Sequence, residues 1–311
     1  MTQATAVRPT ATHSALVTGA ASGIGRELAL SLARDGVALM LSDVAPDGLE
    51  RTVADARLAG AEILDATALD VTDRAAVEDW AQRVTAEHGV PDEVHHVAGI
   101  AIWGDTRTMP PEKWRKVIEV NLMGTVHVVQ ALVPRITAAP QRAHARRGRR
   151  GRRKLVLMSS AAGFIGLPWH AAYSASKGGV LAMAEVLRFD LRPHGVDVHV
   201  VAPGAVDTPL VRTIDIHGVD RDNPRVARAT ALFQGHAVSP AKVAAKIRRG
   251  VARGKFLVTT SGDIAFGRWA QVNLPWGYRA VMRALNYGFR WASRGGATGT
   301  PRTSSAVASP S

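Results

Sequence analysis

The chain has 311 residues, 46% of them hydrophobic, which is enough to bury a sizeable core within one large domain. Cysteine is absent, so disulfides and thiolate metal sites are excluded, in keeping with a cytoplasmic protein. The formal net charge is +13, but eight positive charges and no acid fall between residues 142 and 154, which leaves only +5 for the rest of the chain.

Residues 1–12 are rich in Thr and Ala and lack the apolar core of a signal peptide. We therefore expect a disordered leader and no secretion. No uninterrupted apolar run reaches the ~18 residues that span a bilayer. The longest candidate, residues 120–136, is interrupted by Asn121, His127, Gln130 and Pro134.

The first predicted strand runs directly into a glycine-rich turn. Residues 15–18 form a short apolar run, Gly19, Gly23 and Gly25 follow, and a helical pattern begins at once. Glycines at such a turn let the backbone approach a pyrophosphate, and the helix N-terminus supplies free N–H groups. The order predicts a dinucleotide-binding site.

An acidic residue, Asp43, follows the second apolar run. A carboxylate there can accept hydrogen bonds from the adenosine ribose hydroxyls and would repel a 2′-phosphate. The sequence therefore favours NAD over NADP. Arg26 or Arg34 could still accommodate a 2′-phosphate, which leaves NADP open.

Strand and helix patterns alternate along most of the chain. This alternation predicts a single-domain, doubly wound α/β fold of the Rossmann type, with about seven parallel strands and helices on both faces. Ligands in such sheets bind at the carboxyl ends of the strands. Strands are predicted at 15–18, 37–42, 61–69, 92–98, 154–159, 196–201 and 255–259, and helices at 24–35, 46–59, 73–88, 111–138, 171–192 and 239–252.

The Arg-rich segment, residues 142–154, lies between a predicted helix and a predicted strand. It contains no aromatic residue that could stack on a base. We interpret it as a solvated loop inserted at the rim of the sheet. A nucleic-acid partner is therefore not expected.

Tyr173 and Lys177 stand four residues apart in a predicted helix, thirteen and seventeen residues after Ser160. Side chains at this spacing lie on one helical face, so the ammonium would lie beside the phenol. A neighbouring cation lowers the pKa of a phenol and favours its use as a base. The Ser160 hydroxyl could hold the reacting oxygen, so the three residues predict a proton-transfer site.

The last part of the chain combines aromatic and basic residues. We expect a helical extension over 262–294, with Pro275 starting a helix, and a disordered tail over 295–311. A helical stripe there could cover a substrate cleft, pack on a partner subunit or lie in a membrane interface. The stripe consists of Tyr278, Val281, Met282, Leu285 and Phe289.

The chain resembles the short-chain dehydrogenase/reductases over roughly residues 12–260. The resemblance rests on residues that stand in the order of that family, namely Thr18-Gly-x3-Gly-x-Gly25, Asp70, Ala98-Gly99, Asn121, Ser160, Tyr173, Lys177 and Pro203-Gly204. One departure is His96-Val97, where the family commonly has two Asn. We expect His95 and His96 to be packed or solvated side chains and predict no metal site.

The resemblance implies a role for each matching residue. Tyr173 would be the general acid/base, Lys177 its partner and a ribose anchor, Ser160 the donor to the substrate oxygen, and Asn121 part of a proton relay. The implied cofactor-binding residues are Gly19, Ser22, Gly23, Ile24, Gly25, Asp43, Asp70, Val71, Ala98, Gly99, Tyr173, Lys177, Pro203, Gly204, Val206 and Thr208.

These observations predict an NAD(P)-dependent oxidoreductase that transfers a hydride between the nicotinamide and a secondary alcohol or ketone. In the family, residues 209–235 would form a lid over the substrate. Apolar residues there and at Phe164, Ile165, Leu167 and Trp169 indicate a lipophilic substrate. The resemblance also implies a homodimer or homotetramer. The alternative is an NAD-binding sensor or scaffold that uses the Arg-rich segment or the C-terminal helix as an interaction surface.

Overall fold

The computed structural model describes residues 13–140, 151–208, 214–218 and 237–293. Within them, seven parallel strands form the main sheet, which confirms the predicted doubly wound fold. These strands are β1 (Ser14–Thr18), β2 (Ala38–Asp43), β3 (Ile63–Ala68), β4 (Glu93–His96), β6 (Arg153–Met158), β7 (Val196–Ala202) and β9 (Leu257–Thr259). A separate two-stranded sheet pairs β5 (Ile102–Gly104) with β8 (Asp215–His217).

The strand order in the main sheet is β3-β2-β1-β4-β6-β7-β9. The chain therefore builds outward from β1 in one direction and returns to place β4 on the other side of β1. Crossovers diverge at this switch point and leave a crevice at the carboxyl ends of β1 and β4. Thr18 and His96 end these two strands and are register partners.

Helices cover both faces of the sheet, and each face has its own buried core. The helices are α1 (Gly23–Ala33), α2 (Pro46–Leu58), α3 (Arg74–His88), α4 (Pro111–Ile118), α5 (Gly124–Ala138), α6 (Ala171–Asp190), α7 (Pro240–Ala252), α8 (Gly262–Asn273) and α9 (Pro275–Ser293). Leu28 and Leu32 of α1 are fully buried in the core on one face, and Leu132 of α5 is almost fully buried in the core on the other.

The predicted helix 111–138 is continuous but not regular. α4 and α5 are joined by a single π-helical turn over Glu119–Met123. Such turns widen the hydrogen-bond ring locally and are frequent at functional sites. This one carries the fully buried Asn121.

By length and composition alone, the helix over Pro111–Ala138 could cross a membrane, unlike any other helix in the described parts of the chain. Half of its apolar stretch is buried inside the fold. Its α5 part packs on α3 and its α4 part on α6. Its apolar character is therefore accounted for by its place in the core.

The structure shortens the predicted Arg-rich loop at its carboxyl end. Arg152, Arg153 and Lys154 were expected to be solvated, yet Arg153 begins β6 and is buried. Arg152 Nε lies 2.7 Å from an oxygen of Asp197, and Lys154 Nζ lies 2.6 Å from Glu93 Oε1. Acidic partners on neighbouring strands thus draw these cations into the sheet.

Several sequence predictions fall outside the described residues. They concern the leader over 1–12, residues 142–150 of the Arg-rich segment, most of the lid and the tail over 295–311. The predicted domain boundaries and the homo-oligomer stay predictions. The two-stranded sheet of β5 and β8 was not predicted, because three-residue strands are too short to show a period in the sequence.

Candidate active site

The glycine-rich turn between β1 and α1 is formed by backbone that tolerates no side chain. Gly19 has φ of +71°, and a Cβ there would lie 2.7 Å from the backbone nitrogen of Ala98. A Cβ on Gly25 would collide with the Gly19 carbonyl. Glycine is therefore required for the close packing of α1 on the strand ends. The first N–H groups of α1 are left facing the crevice.

A cleft of about 1600 Å³ opens at the carboxyl ends of the strands. This volume exceeds that of a typical small-ligand pocket and leaves room for a dinucleotide together with a substrate. Every residue predicted to contact the cofactor lines the cleft, from Gly19 in the first turn to Thr208 after β7. Ser160 lines it as well.

The three predicted proton-transfer residues meet inside this cleft. Ser160 precedes a 3₁₀ turn, and its hydroxyl accepts from the Ala162 backbone N–H at 3.2 Å. The same side chain lies close enough to the Tyr173 phenol to lower the pKa of that phenol. The Lys177 ammonium is buried on the next turn of α6 and donates to the Met158 carbonyl at 3.0 Å.

The pKa of Tyr173 differs from the prediction. Burial raises the pKa of this phenol, and the neighbouring Ser160 hydroxyl lowers it by less. Burial also lowers the pKa of Lys177 to about 8. The sequence argument considered only the attraction between the phenolate and the cation, whereas the enclosure of both groups penalises both charged forms.

Asn121 stands behind the cleft wall rather than in it. Its Oδ1 accepts from the Ile100 N–H at 2.8 Å, and its Nδ2 donates to the Ile100 carbonyl at 2.9 Å and to Ser176 Oγ at 3.1 Å. A Cβ on Gly99 would lie 2.8 Å from Asn121 Oδ1 and 3.1 Å from Lys177 Nζ. Asn121 therefore fixes the loop after β4 next to the lysine.

Asp43 ends β2 at the rim of the cleft. Its two carboxylate oxygens accept from the backbone N–H groups of Ala21 and Ala45, each at 2.9 Å. Each oxygen keeps a further lone pair for a ligand hydroxyl. These bonds also tie the glycine-rich turn to the end of β2.

The two histidines of β4 are packed side chains, as predicted. His96 Nδ1 lies 2.8 Å from Thr18 Oγ1, and His95 Nε2 lies 2.8 Å from Glu93 Oε2. Burial, reinforced by the Lys177 charge, lowers the pKa of His96 to about 3, so this imidazole is neutral. Within the described residues, no group of His, Asp and Glu could hold a metal ion.

Sequence reasoning missed part of the substrate end of the cleft. Trp103 and His170 line it, with ring centroids 4.0 Å apart. Burial lowers the pKa of His170 to about 4. Of the four expected apolar residues, Ile165 and Leu167 line the cleft, whereas Phe164 and Trp169 do not. Helix α9 adds a further wall of Ala284, Leu285, Gly288 and Trp291.

The residues present fit a nicotinamide dinucleotide. The left-handed Gly19 and the first N–H groups of α1 form a cradle that a side chain would fill, which suits a pyrophosphate. Asp43, the Tyr173 phenol and the residues expected beside the adenine, Asp70 and Val71, all line this one cleft.

Comparison with known proteins agrees with this geometry. The short chain dehydrogenase family model matches residues 13–217, more than half of the chain. The probable oxidoreductase EphD of Mycobacterium tuberculosis is 35% identical over 243 residues, which cover 77% of this chain and 39% of that protein. The chain thus spans about two fifths of the length of this relative. The 1-deoxy-11-beta-hydroxypentalenate dehydrogenase of Streptomyces exfoliatus is 39% identical over 207 residues, covering 65% of this chain and 70% of the relative.

Two solved structures are similar in fold and bind nicotinamide cofactors. A short chain dehydrogenase/reductase from Burkholderia phymatum in complex with NAD has a TM-score of 0.68 and 26% identity, covering 81% of this chain and 90% of that one. Actinorhodin polyketide ketoreductase with NADPH has a TM-score of 0.69 and 28% identity, covering 83% and 98%. The chain belongs to the short chain dehydrogenase family.

Proposed function

We propose that this enzyme interconverts a lipophilic secondary alcohol and its ketone, with Tyr173 as the general acid/base and NAD as the preferred cofactor. The observation that carries the assignment is the partly buried Tyr173 phenol, which lies next to Ser160 inside the cleft. Lys177 is buried on the adjacent turn of the same helix.

Each residue has a separate task in this mechanism. Ser160, held by the Ala162 N–H, positions the reacting oxygen beside the phenol. In reduction, Tyr173 gives its proton to the developing alkoxide, and in oxidation its phenolate takes the proton of the alcohol. The bound nicotinamide supplies or accepts the hydride.

The raised pKa of Tyr173 bears on the direction of proton transfer. A buried phenol is protonated at neutral pH, so it is ready to act as an acid. To act as a base it must first lose its proton, and the Lys177 ammonium stabilises the phenolate in the same enclosed space. Lys177 thus acts on the reaction through Tyr173.

The lining of the substrate end supports a lipophilic substrate. Apolar surface predominates in the cleft lining, which also contains Ser160 and Tyr173. A pocket of this kind favours a ligand with a large apolar body and one polar reacting centre. The similarity to a dehydrogenase of a hydroxypentalenate gives further support. The apolar lining residues include Ile100, Trp103, Ile165, Leu167, Ile214 and Ile264.

The charges around the adenosine end support a preference for NAD. Asp43 lines the cleft, and a 2′-phosphate next to its carboxylate would be repelled. Arg26, which could have compensated, is already paired with Glu27 at 3.0 Å and with Asp55 at 2.6 Å. Neither Arg26 nor Arg34 is among the cleft-lining residues.

Fluorescence titrations with NADH and NADPH test the cofactor assignment. We expect the wild type to bind NADH more tightly than NADPH. Asp43→Asn should narrow this difference in affinity, because the substitution removes the charge of the side chain but keeps its shape. Asp190→Asn, on an exposed part of α6, is the charge-matched control and should leave both affinities unchanged. Equal affinity of the wild type for the two cofactors would contradict the preference for NAD.

Steady-state assays with NAD and a series of secondary alcohols of increasing apolar size test the substrate class. We expect kcat/KM to rise with the apolar size of the alcohol until the cleft is filled. The rise should be up to about tenfold for each 1.4 kcal/mol of free energy gained by burying apolar surface. A preference for small polar alcohols would refute the lipophilic assignment and leave the cofactor assignment intact.

A further inference from the structure

The apolar surface that this protein exposes is concentrated in its last two helices. Among the described residues, nine of the thirteen large hydrophobic side chains that are exposed lie on α8, α9 or the residue between them. A soluble surface normally carries such residues singly, and a cluster marks an interaction site. We define the C-terminal aromatic surface as Phe266, Trp269, Val272, Trp276 and Tyr287.

This surface is held in a fixed position because the opposite sides of α8 and α9 are attached to the body. Ile264 is buried, and Arg268 lies over the Phe164 ring at 5.2 Å from its centroid. The Tyr278 hydroxyl accepts from the Gly166 N–H at 2.7 Å. These contacts leave Trp276 at 71% exposure and Tyr287 at 73%. The exposed aromatics therefore belong to an ordered face and not to a loose end.

Arginines accompany the aromatics on α9. Trp276, Arg283 and Tyr287 stand at i, i+7 and i+11, which places them along one side of the helix, and Arg279 lies next to them. α9 contains three arginines and no acid, and α8 adds Arg268 and one acid, Asp263. The face is therefore both aromatic and cationic.

The positive charge of this face favours an anionic lipid surface over a second copy of the chain as its binding partner. In a two-fold contact between copies, each patch meets its own image, so the α9 arginines would face each other without an acid from α9 between them. An anionic lipid surface complements the same charges. Trp and Tyr side chains suit the boundary between headgroups and acyl chains, because they are apolar with one polar atom.

We propose that α8 and α9 form an interfacial anchor that seats the enzyme on an anionic membrane, with the C-terminal aromatic surface inserted at headgroup depth. The side of α9 that carries Leu285 and Gly288 lines the cleft, so the same helix borders both the membrane and the substrate site. A lipophilic substrate would then enter the cleft from the bilayer. The anchor itself does not depend on the substrate assignment.

Sedimentation with vesicles tests the anchor on the full-length protein. We expect binding to phosphatidylcholine vesicles that contain 30% phosphatidylglycerol, little binding to pure phosphatidylcholine, and release by salt. The double variant Trp276→Ser, Tyr287→Ser should lower the partition coefficient at least tenfold. Arg279→Gln with Arg283→Gln should lower it by about 25-fold, about fivefold for each charge near the surface.

A matched control removes an exposed apolar residue and an arginine elsewhere. Leu58→Ser with Arg57→Gln, at the end of α2, should leave the partition unchanged. NADH titration of every variant confirms that the fold is intact, since none of the substituted side chains lines the cleft. Equal loss in the control and α9 variants, or wild-type binding that is absent or independent of phosphatidylglycerol, overturns the proposal. A multimer that Trp276→Ser dissociates, without vesicle binding, assigns the surface to a second copy instead.

Discussion

Lys177→Met should stabilise the folded enzyme while it impairs catalysis. The ammonium is buried, and its pKa falls from the ordinary 10.5 to about 8 because burial penalises the charge. That fall corresponds to about 3 kcal/mol against folding at pH 7. The variant loses the hydrogen bond to the Met158 carbonyl, worth about 1 to 2 kcal/mol. We expect a net gain of about 1 to 2 kcal/mol in the free energy of unfolding.

The lowered pKa of Lys177 determines how the difference in stability between the two proteins changes with pH. Below about pH 8 the lysine is protonated in both states, so the burial cost is fully present. Between about pH 8 and 10.5 the unfolded chain binds the proton and the folded enzyme does not, so wild-type stability rises with pH. The advantage of the methionine variant should therefore shrink over this range.

Urea unfolding of both proteins at pH 7, 8.5 and 10, without cofactor, measures this difference. Lys242→Met, at an exposed position of α7, is the control and should show no pH-dependent difference from the wild type. The turnover of Lys177→Met should fall by about 10²-fold, because the phenolate loses its cation. A variant that is less stable than the wild type by the same amount at every pH would refute the assigned burial cost.

Three further predictions concern the proposed acid/base Tyr173, the glycine-rich turn after β1 and the attachment of α9 to the cleft. Tyr173→Phe should lower kcat at least ~10²-fold while NADH affinity stays within a few-fold, and near-full activity would show that another group moves the proton. Gly25→Ala should abolish NADH binding in a titration, because the added Cβ meets the Gly19 carbonyl, whereas Gly277→Ala has free space and should bind normally. Tyr278→Phe removes the hydroxyl that accepts from the Gly166 N–H. Loss of this hydrogen bond, worth ~1 kcal/mol, should raise the KM for the alcohol about fivefold and leave NADH affinity unchanged. An unchanged KM would mean that α9 keeps its position by other contacts.

The regular part of the fold could be predicted because each element carries its own period. The apolar run before Gly19 and the four-residue spacing of Tyr173 and Lys177 are local patterns, and local patterns fix faces of strands and helices. The main-sheet strands and the six helices therefore appear where the sequence places them. The order of motifs along the chain also places Ser160 after the carboxyl end of β6 and Tyr173 in the first turn of α6, and both residues line the crevice.

Other features depend on contacts between distant segments. Nothing near Tyr173 in the sequence indicates that burial raises the pKa of the phenol by more than Ser160 lowers it. Arg152 and Lys154 read as part of a solvated basic loop until Asp197 and Glu93 are placed beside them. Asn121 was expected in a proton relay, and its observed hydrogen bonds run to the backbone of Ile100 and to Ser176.

The sequence by itself determined the family, the parallel sheet and the identity of the groups that line the cleft, because these follow from short-range periodicity and from the order of a few motifs. Only the tertiary structure decided that α9 closes the cleft with Leu285 and Gly288 while it turns Trp276 and Tyr287 outward. The helical pattern fixed the relative directions of these side chains. Which direction is inside depends on where the helix docks, and that was set by contacts such as the bond between Tyr278 and Gly166, which join residues 112 positions apart.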